Sequence, residues 1–252
     1  MRRDLQAIYG FARLADDIGD EYAGDRLAAL DALEAELDGA FAGRARHPLL
    51  VLLQPTLRER ALPREPFARL IEANRVDQRL TRVEDFAGLR AYCALSADPV
   101  GELVLHVFGQ ATPENVALSD AICSALQIVE HLQDVAEDFA AGRIYLPAED
   151  LARFGCGEAE LSRAPASPAL RRIVAFEAAR ARELLREGDA LVARLDQPAR
   201  TAIAAFAAGG LAALDALEAG EYDVTSRCWR PRKRAVARRA LQLLWRARGA
   251  ER

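Results

Sequence analysis

The chain has 252 residues, 51% of them hydrophobic, with 34 basic and 38 acidic side chains and a formal net charge of −4. That is enough apolar material for one sizeable buried core. It contains no run of eighteen uninterrupted apolar residues, and no signal-type apolar segment follows Met1, Arg2, Arg3 and Asp4, so a soluble cytoplasmic globule is the expectation.

Apolar spacing of three and four runs through most of the chain, and its breaks fall at proline or glycine, which predicts an all-α protein. Helices are expected over 3–21, 25–42, 48–61, 65–81, 84–108, 113–140, 168–195, 198–219 and 232–248, and only 142–167 makes a long connection. Neither an interdomain linker nor a solenoid repeat stands out, so residues 1–252 read as a single domain.

The first helix carries ADDIGDE near its end. At roughly 100° per residue, Tyr9, Arg13, Asp16 and Asp20 fall within about 60° of arc, one side chain wide. Asp17 points elsewhere and is the weaker candidate. Like charges four residues apart repel by a few tenths of a kcal/mol on an exposed helix, so the pairing gains nothing unless a cation sits between them.

Further on, Pro99 interrupts the expected 84–108 helix, freeing the Leu95 carbonyl and placing Ser96 and Asp98 at a kink. The plainer alternative is a bent helix with Asp98 solvated. In LQIVEHLQDVAED the acidic pattern recurs. Gln127, Glu130, Asp134 and Asp138 share about 80° of arc on a helix whose remaining circumference is mostly apolar. Such a helix is buried, and buried carboxylates must protonate, pair or bind metal. Mg²⁺ suits them, because it is commonly held by one or two carboxylates together with waters and substrate phosphates. An isolated acidic pair is more often solvated surface; two stripes on apolar helices favour a site.

The four cysteines are widely spaced and form no CxxC pair, and His47, His106 and His131 lack zinc-ligand spacing. The tail is the electrostatic outlier, with net +9 from Arg227 onward against −13 before it. Residues 230–252 read as a basic amphipathic helix with Leu241, Leu244 and Trp245 on one face, suited either to an anionic membrane or to packing on the acidic body. No nucleic-acid recognition motif accompanies the basic run.

The segments YGFARLADDIGDE and LQIVEHLQDVAEDFAAGRIYLPAEDLARFG, with YCALSADPVG between them, resemble the two aspartate-rich motifs of the squalene and phytoene synthase family. The similarity extends from about Leu5 to Arg227. It implies an all-α isoprenoid synthase fold with a central helix-lined cavity, Mg²⁺ as cofactor and C30 or C40 isoprenoid diphosphate substrates. Carried over by position, Asp16, Asp20, Asp134 and Asp138 match the metal-binding acids. Arg13 and Arg227 match diphosphate-contacting arginines, and Tyr9, Tyr92, Ala97, Val100, Gly101 and Gln127 match positions lining the substrate cavity. Glu130 and Gln133 depart from the usual Asn and Arg. EHxQDVAED with CxLSAxPVG is similar to the hydroxysqualene synthase branch, which converts presqualene diphosphate to hydroxysqualene in bacterial hopanoid synthesis beside a sister synthase and a flavoenzyme. Two further departures are a family helix expected ahead of Leu5 and a tyrosine expected where Gly210 stands.

On this reading the metal, Arg13 and Arg227 stabilise the departing diphosphate, Tyr92 and Phe108 offer ring faces to a carbocation, and Ser96, Asp98 or Glu130 positions a quenching water. Head-to-head condensation of farnesyl diphosphate and a non-catalytic scaffold are the competing functions.

Overall fold

A computed structural model describes residues 1–250; Glu251 and Arg252, the end of the expected 230–252 helix, lie outside the described residues. Among the described residues the regular structure is helical, apart from an isolated parallel bridge between Arg82 and Ile144. The all-α expectation holds. Contacts gather into two compact units, one formed by Met1–Leu80 with Ala94–Val116 and the other by Thr81–Cys93 with Ala117–Arg252.

The first unit is built from α1 (Arg2–Asp20), α2 (Arg26–Phe41), α3 (Pro48–Glu59), α4 (Glu65–Asp77) and α6 (Asp98–Phe108). Local chemistry sets the helix starts. The Asp25 carboxylate accepts the Ala28 N–H at 3.0 Å, and Pro48 and Pro66 occupy first-turn positions, where a missing N–H costs nothing. One apolar face of each helix closes on a common core, with Phe11 and Phe67 edge to face at 5.0 Å.

The expected 84–108 helix is two helices, α5 (Phe86–Ser96) and α6, broken at Ala97 (φ −117°, ψ −48°). Pro99 lies in the first turn of α6, so its lack of an N–H becomes a start signal rather than a kink. Asp98 is 3% exposed, which rules out its reading as a solvated acid.

The second unit holds most of α7 (Pro113–Gln133), then α8 (Val135–Ala140), α9 (Ala148–Phe154), α10 (Pro168–Arg194), α11 (Ala199–Ala219) and α12 (Lys233–Ala250). The expected 113–140 helix breaks at Asp134 (φ −106°, ψ 14°), with no proline or glycine at the break. The 142–167 connection contains α9, which starts after Pro147 and stops at Gly155 in the left-handed region (φ 65°). Gly210 of α11 packs against α7 and α10; a Cβ there would lie 2.6 Å from Leu126 Cδ2, so a larger side chain at this position requires the Leu126 side chain to move. The α11 helix is long and apolar enough to span a membrane, and half of its most apolar window is buried inside the protein.

Two carboxyls are buried on one side of α10. Arg180 donates from the same Nη1 to Asp150 and to Glu177, at 2.6 Å each, and its guanidinium lies over the rings of Phe86 and Phe176. Glu177 Oε2 is buried with no hydrogen-bond partner. Burial and the neighbouring Asp150 push the Glu177 carboxyl up to about 8.

In α12 the inward residues are Leu243 and Ala247. Asp215 of α11 receives Arg239 through both carboxylate oxygens at 2.7–2.9 Å and Arg182 at 3.0 Å. The expected apolar face is therefore divided: Leu244 is half-buried, while Leu241 and Trp245 face solvent at 69% and 77% exposure.

Candidate active site

The first acidic motif closes α1. Gly19 lets α4 come close; a Cβ there would sit 2.1 Å from Asn74 Oδ1. From α4, Asn74 Nδ2 donates to the Asp16 carboxylate at 3.2 Å, and Gln78 Nε2 donates to the Gly19 carbonyl at 3.0 Å. Arg26 Nη2 donates to the Asp20 carbonyl at 2.8 Å, so side chains satisfy the orphan carbonyls of the helix end. Solvent reaches Asp16, but the surrounding protein desolvates its carboxyl and pushes it up, with Asp20 adding repulsion against the Asn74 hydrogen bond.

Arg13 shares the stripe with Asp16 and Asp20, yet its guanidinium pairs with Asp17 at 2.7 Å and Glu21 at 3.2 Å. That gives Asp17 its role: it anchors the arginine. Tyr9, on the same helix, is 70% exposed. In the same unit, Ala97 and Val100 are partly exposed at and after the α5–α6 break, and Gly101 is buried.

The second motif spans the α7–α8 break. Burial, then the charges of Asp138 and Glu137, raises the Asp134 carboxyl, while His131 and Arg230 oppose the rise. His131 connects several of the expected site residues. Its ring stacks on Tyr145 at 3.8 Å between centroids, Nδ1 faces Asp138 Oδ2 at 3.6 Å, and Nε2 lies 3.2 Å from Gln127 Nε2. His131 thus lies between the Gln127 amide on one side of its ring and the Asp138 carboxylate on the other. Tyr92 completes the cluster, 5.2 Å from Tyr145 and 5.9 Å from His131. Glu130 is on the exposed side of α7.

After α8 the RIYLP segment runs beside residues 81–84, with Ile144 donating to Thr81 and receiving from Val83, and Ala148 donating to Val83. This holds Tyr145 under His131. The C-terminal strap 227–232 is fastened to the same region: Gln133 Nε2 donates to the Trp229 carbonyl at 2.6 Å, and the Arg227 guanidinium lies 3.7 Å over the Trp229 ring.

Among the described residues no group of three or more His, Cys, Asp or Glu converges as a ready metal cage. Each motif instead offers two carboxylates four residues apart. Sequence reasoning missed Asn74 and Trp229 as supports, since neither lies near its motif in the chain.

The profile of the family described as Squalene/phytoene synthase matches residues 1–240. Hydroxysqualene synthases of Rhodopseudomonas palustris and Sinorhizobium fredii are 40% and 37% identical to this chain over 198 and 195 residues. Those matches cover 77% and 76% of this chain but 66% and 65% of the relatives, so it spans just under two thirds of their length. A crystal structure of squalene synthase HpnC from Alicyclobacillus acidocaldarius is 46% identical, with a TM-score of 0.82 over 86% of this chain and 82% of that one. With the helical fold and both acidic motifs in place, the chain belongs to the squalene/phytoene synthase family.

Proposed function

We propose that this chain converts presqualene diphosphate and water to hydroxysqualene and diphosphate, with Mg²⁺ bound by Asp16, Asp20, Asp134 and Asp138. The observation that carries the reading is a pair of carboxylates in each motif, one of each pair driven upward by burial and by its neighbour's charge. Such groups gain by meeting a divalent cation, and two carboxylates apiece match a metal that keeps water and phosphate oxygens in its shell. When bound, Mg²⁺ supplies neutralisation of the charge that develops on a departing diphosphate.

The chain's own residues do the rest. Asn74 and His131 hold the first and second motifs in orientation, and Arg13 is kept at the motif by Asp17 and Glu21. Tyr92, against Tyr145 and His131, presents an aromatic wall of the kind that tolerates a cation and excludes water. Ser96, Asp98 and Glu130 stay as the candidates for holding the one admitted water, and Ala97, Val100, Gly101 and Gln127 as lining residues.

The competing readings are head-to-head condensation of farnesyl diphosphate and a scaffold role. Incubation with presqualene diphosphate or with farnesyl diphosphate, with Mg²⁺ and without NADPH, followed by mass spectrometry, separates them. Hydroxysqualene from presqualene diphosphate is the expected result. Turnover of farnesyl diphosphate alone supports condensation, and turnover of neither supports the scaffold.

The outer face of α12 suggests peripheral contact with an anionic bilayer. Leu241 and Trp245 stand exposed beside Arg234 and Arg238, along a shallow groove that Ala237 and Gln242 also line. Apolar side chains flanked by guanidinium groups are the usual composition of an interfacial helix. Leu241→Ser with Trp245→Ser is expected to weaken co-sedimentation with phosphatidylglycerol vesicles at least about tenfold, roughly 1.4 kcal/mol. Equal sedimentation of wild type and variant would remove this face from consideration.

A further inference from the structure

The segment that carries Tyr145 is tied to the approach to α5 by a short clasp. Ile144 donates to the Thr81 carbonyl and accepts from Val83, and Ala148 and Glu149 donate to the carbonyls of Val83 and Glu84. The Glu149 carboxylate then accepts the Phe86 N–H at 3.0 Å. Tyr145 lies within this clasp, and Tyr92 follows on α5, six residues after Phe86. The clasp therefore sets how Tyr145 meets Tyr92, at 5.2 Å between rings, and how it stacks on His131.

The far end of the clasp is held on α10 by one cation. The Arg180 guanidinium lies 4.4 Å over Phe86 of α5 and 4.3 Å over Phe176 of α10, while its Nη1 donates to Asp150 of α9 and to Glu177. Three helices meet at this arginine. Asp150 and Glu177 are 2% and 0% exposed, their oxygens share a single nitrogen, and Glu177 Oε2 has no donor. Two buried carboxylates on one guanidinium leave a negative charge unmatched, whereas a proton on Glu177 leaves one anion for one cation.

Burial and Asp150 act in the same direction, pushing the Glu177 carboxyl up to about 8. Glu149, the other acid of α9, is 4.0 Å from Arg180 Nη2, and Arg153 of α9 turns over Phe154 and Phe176. Charges of α11 and α12 meet α10 on other turns, Asp215 and Glu218 at Arg182 and Arg246 at Asp189.

We propose that Glu177 is a positioning residue: protonated, and joined to Asp150 by Arg180, it clamps the 144–149 segment to α5 and α10 and so fixes Tyr145 against Tyr92 and His131. The use of that aromatic wall in catalysis rests on the proposed function. Ionisation of Glu177 loosens the clamp, so the wall is set near neutral pH and relaxes in alkali.

Hydrogen exchange of the full chain, followed by mass spectrometry on peptides covering 81–86 and 143–151, reads the clamp without turnover. Beyond the intrinsic effect of pH, wild-type exchange there is expected to rise about tenfold from about pH 7 to 9, the linkage of one proton. Glu177→Gln, which keeps the shape and stays neutral, is expected to show no such rise. Glu177→Ala is expected to lower kcat for presqualene diphosphate at least about tenfold per folded chain. Its KM is expected to stay within about threefold, because the wall meets the carbocation and not the diphosphate. Glu177→Gln is expected to restore kcat. Wild-type exchange that matches Glu177→Gln at every pH overturns the inference, and so does an unchanged kcat in Glu177→Ala. Should Glu177→Ala fail to fold, the comparison of wild type with Glu177→Gln decides alone. The expected exchange pattern in a chain that never turns over presqualene diphosphate supports the clamp and overturns the proposed function.

Discussion

Asp134→Asn is expected to lower kcat/KM for the isoprenoid diphosphate by about 10²–10³-fold, the usual loss when one group serving transition-state charge is removed. The same change is expected to raise Tm at pH 7 in the presence of a chelator. The two effects share one cause. Burial and the charges of Asp138 and Glu137 hold the Asp134 carboxyl above its ordinary range, so the folded state binds its proton more tightly than the unfolded chain does. Stability from that group is complete below the unfolded pKa and is lost as pH rises through the folded one. The amide never ionises and escapes the loss. Steady-state kinetics beside thermal melts in EDTA check both halves, and a variant within threefold of wild-type activity would exclude Asp134 as a ligand.

Arg180→Met is expected to destabilise the protein by about 3 kcal/mol, the low end for breaking a buried ion pair, because the arginine is partly solvated. It leaves Asp150 and Glu177 buried without their shared guanidinium. The wild type carries a pH signature of the same cluster. With Glu177 moved from its ordinary 4.5 to about 8, its contribution to stability is full below pH 4.5 and falls as pH climbs toward and through 8. Glu177→Gln is expected to flatten Tm against pH across that window. Denaturant melts at several pH values read both variants, and an unchanged slope in Glu177→Gln would mean the carboxyl is ionised throughout.

The helices were legible because their apolar faces repeat at 3.6 residues, and the two acidic motifs because carboxylates on apolar helices are conspicuous. The breaks were only half legible. Pro99 marked one, although as a kink; the other, at Asp134, has no residue whose backbone chemistry announces it. Asn74 and Gln78 support a motif 58 and 59 residues away, which no local pattern encodes. The tail shows a subtler limit. Its sequence offered an apolar stripe through Leu241 and Trp245, but the inward direction is set by Asp215, which holds Arg239, and by Asp189, 3.9 Å from Arg246. Anchoring charges on other helices chose which apolar residues would be buried.

The two compact units divide the chain unevenly along its length, and that division bears on how the protein is made. The first unit has all of its chain once residue 116 has been synthesised, whereas residues 81–93 belong with partners that all come later. At about 5–20 residues per second, the 136 residues from 117 to 252 take roughly 7–27 s to emerge. For that interval the Phe86–Cys93 stretch of α5, with its buried Leu89, Tyr92 and Cys93, waits beside a finished neighbour with its apolar face uncovered. How long that apolar face stays uncovered is therefore a property of the fold's topology, written into the order in which the helices leave the ribosome.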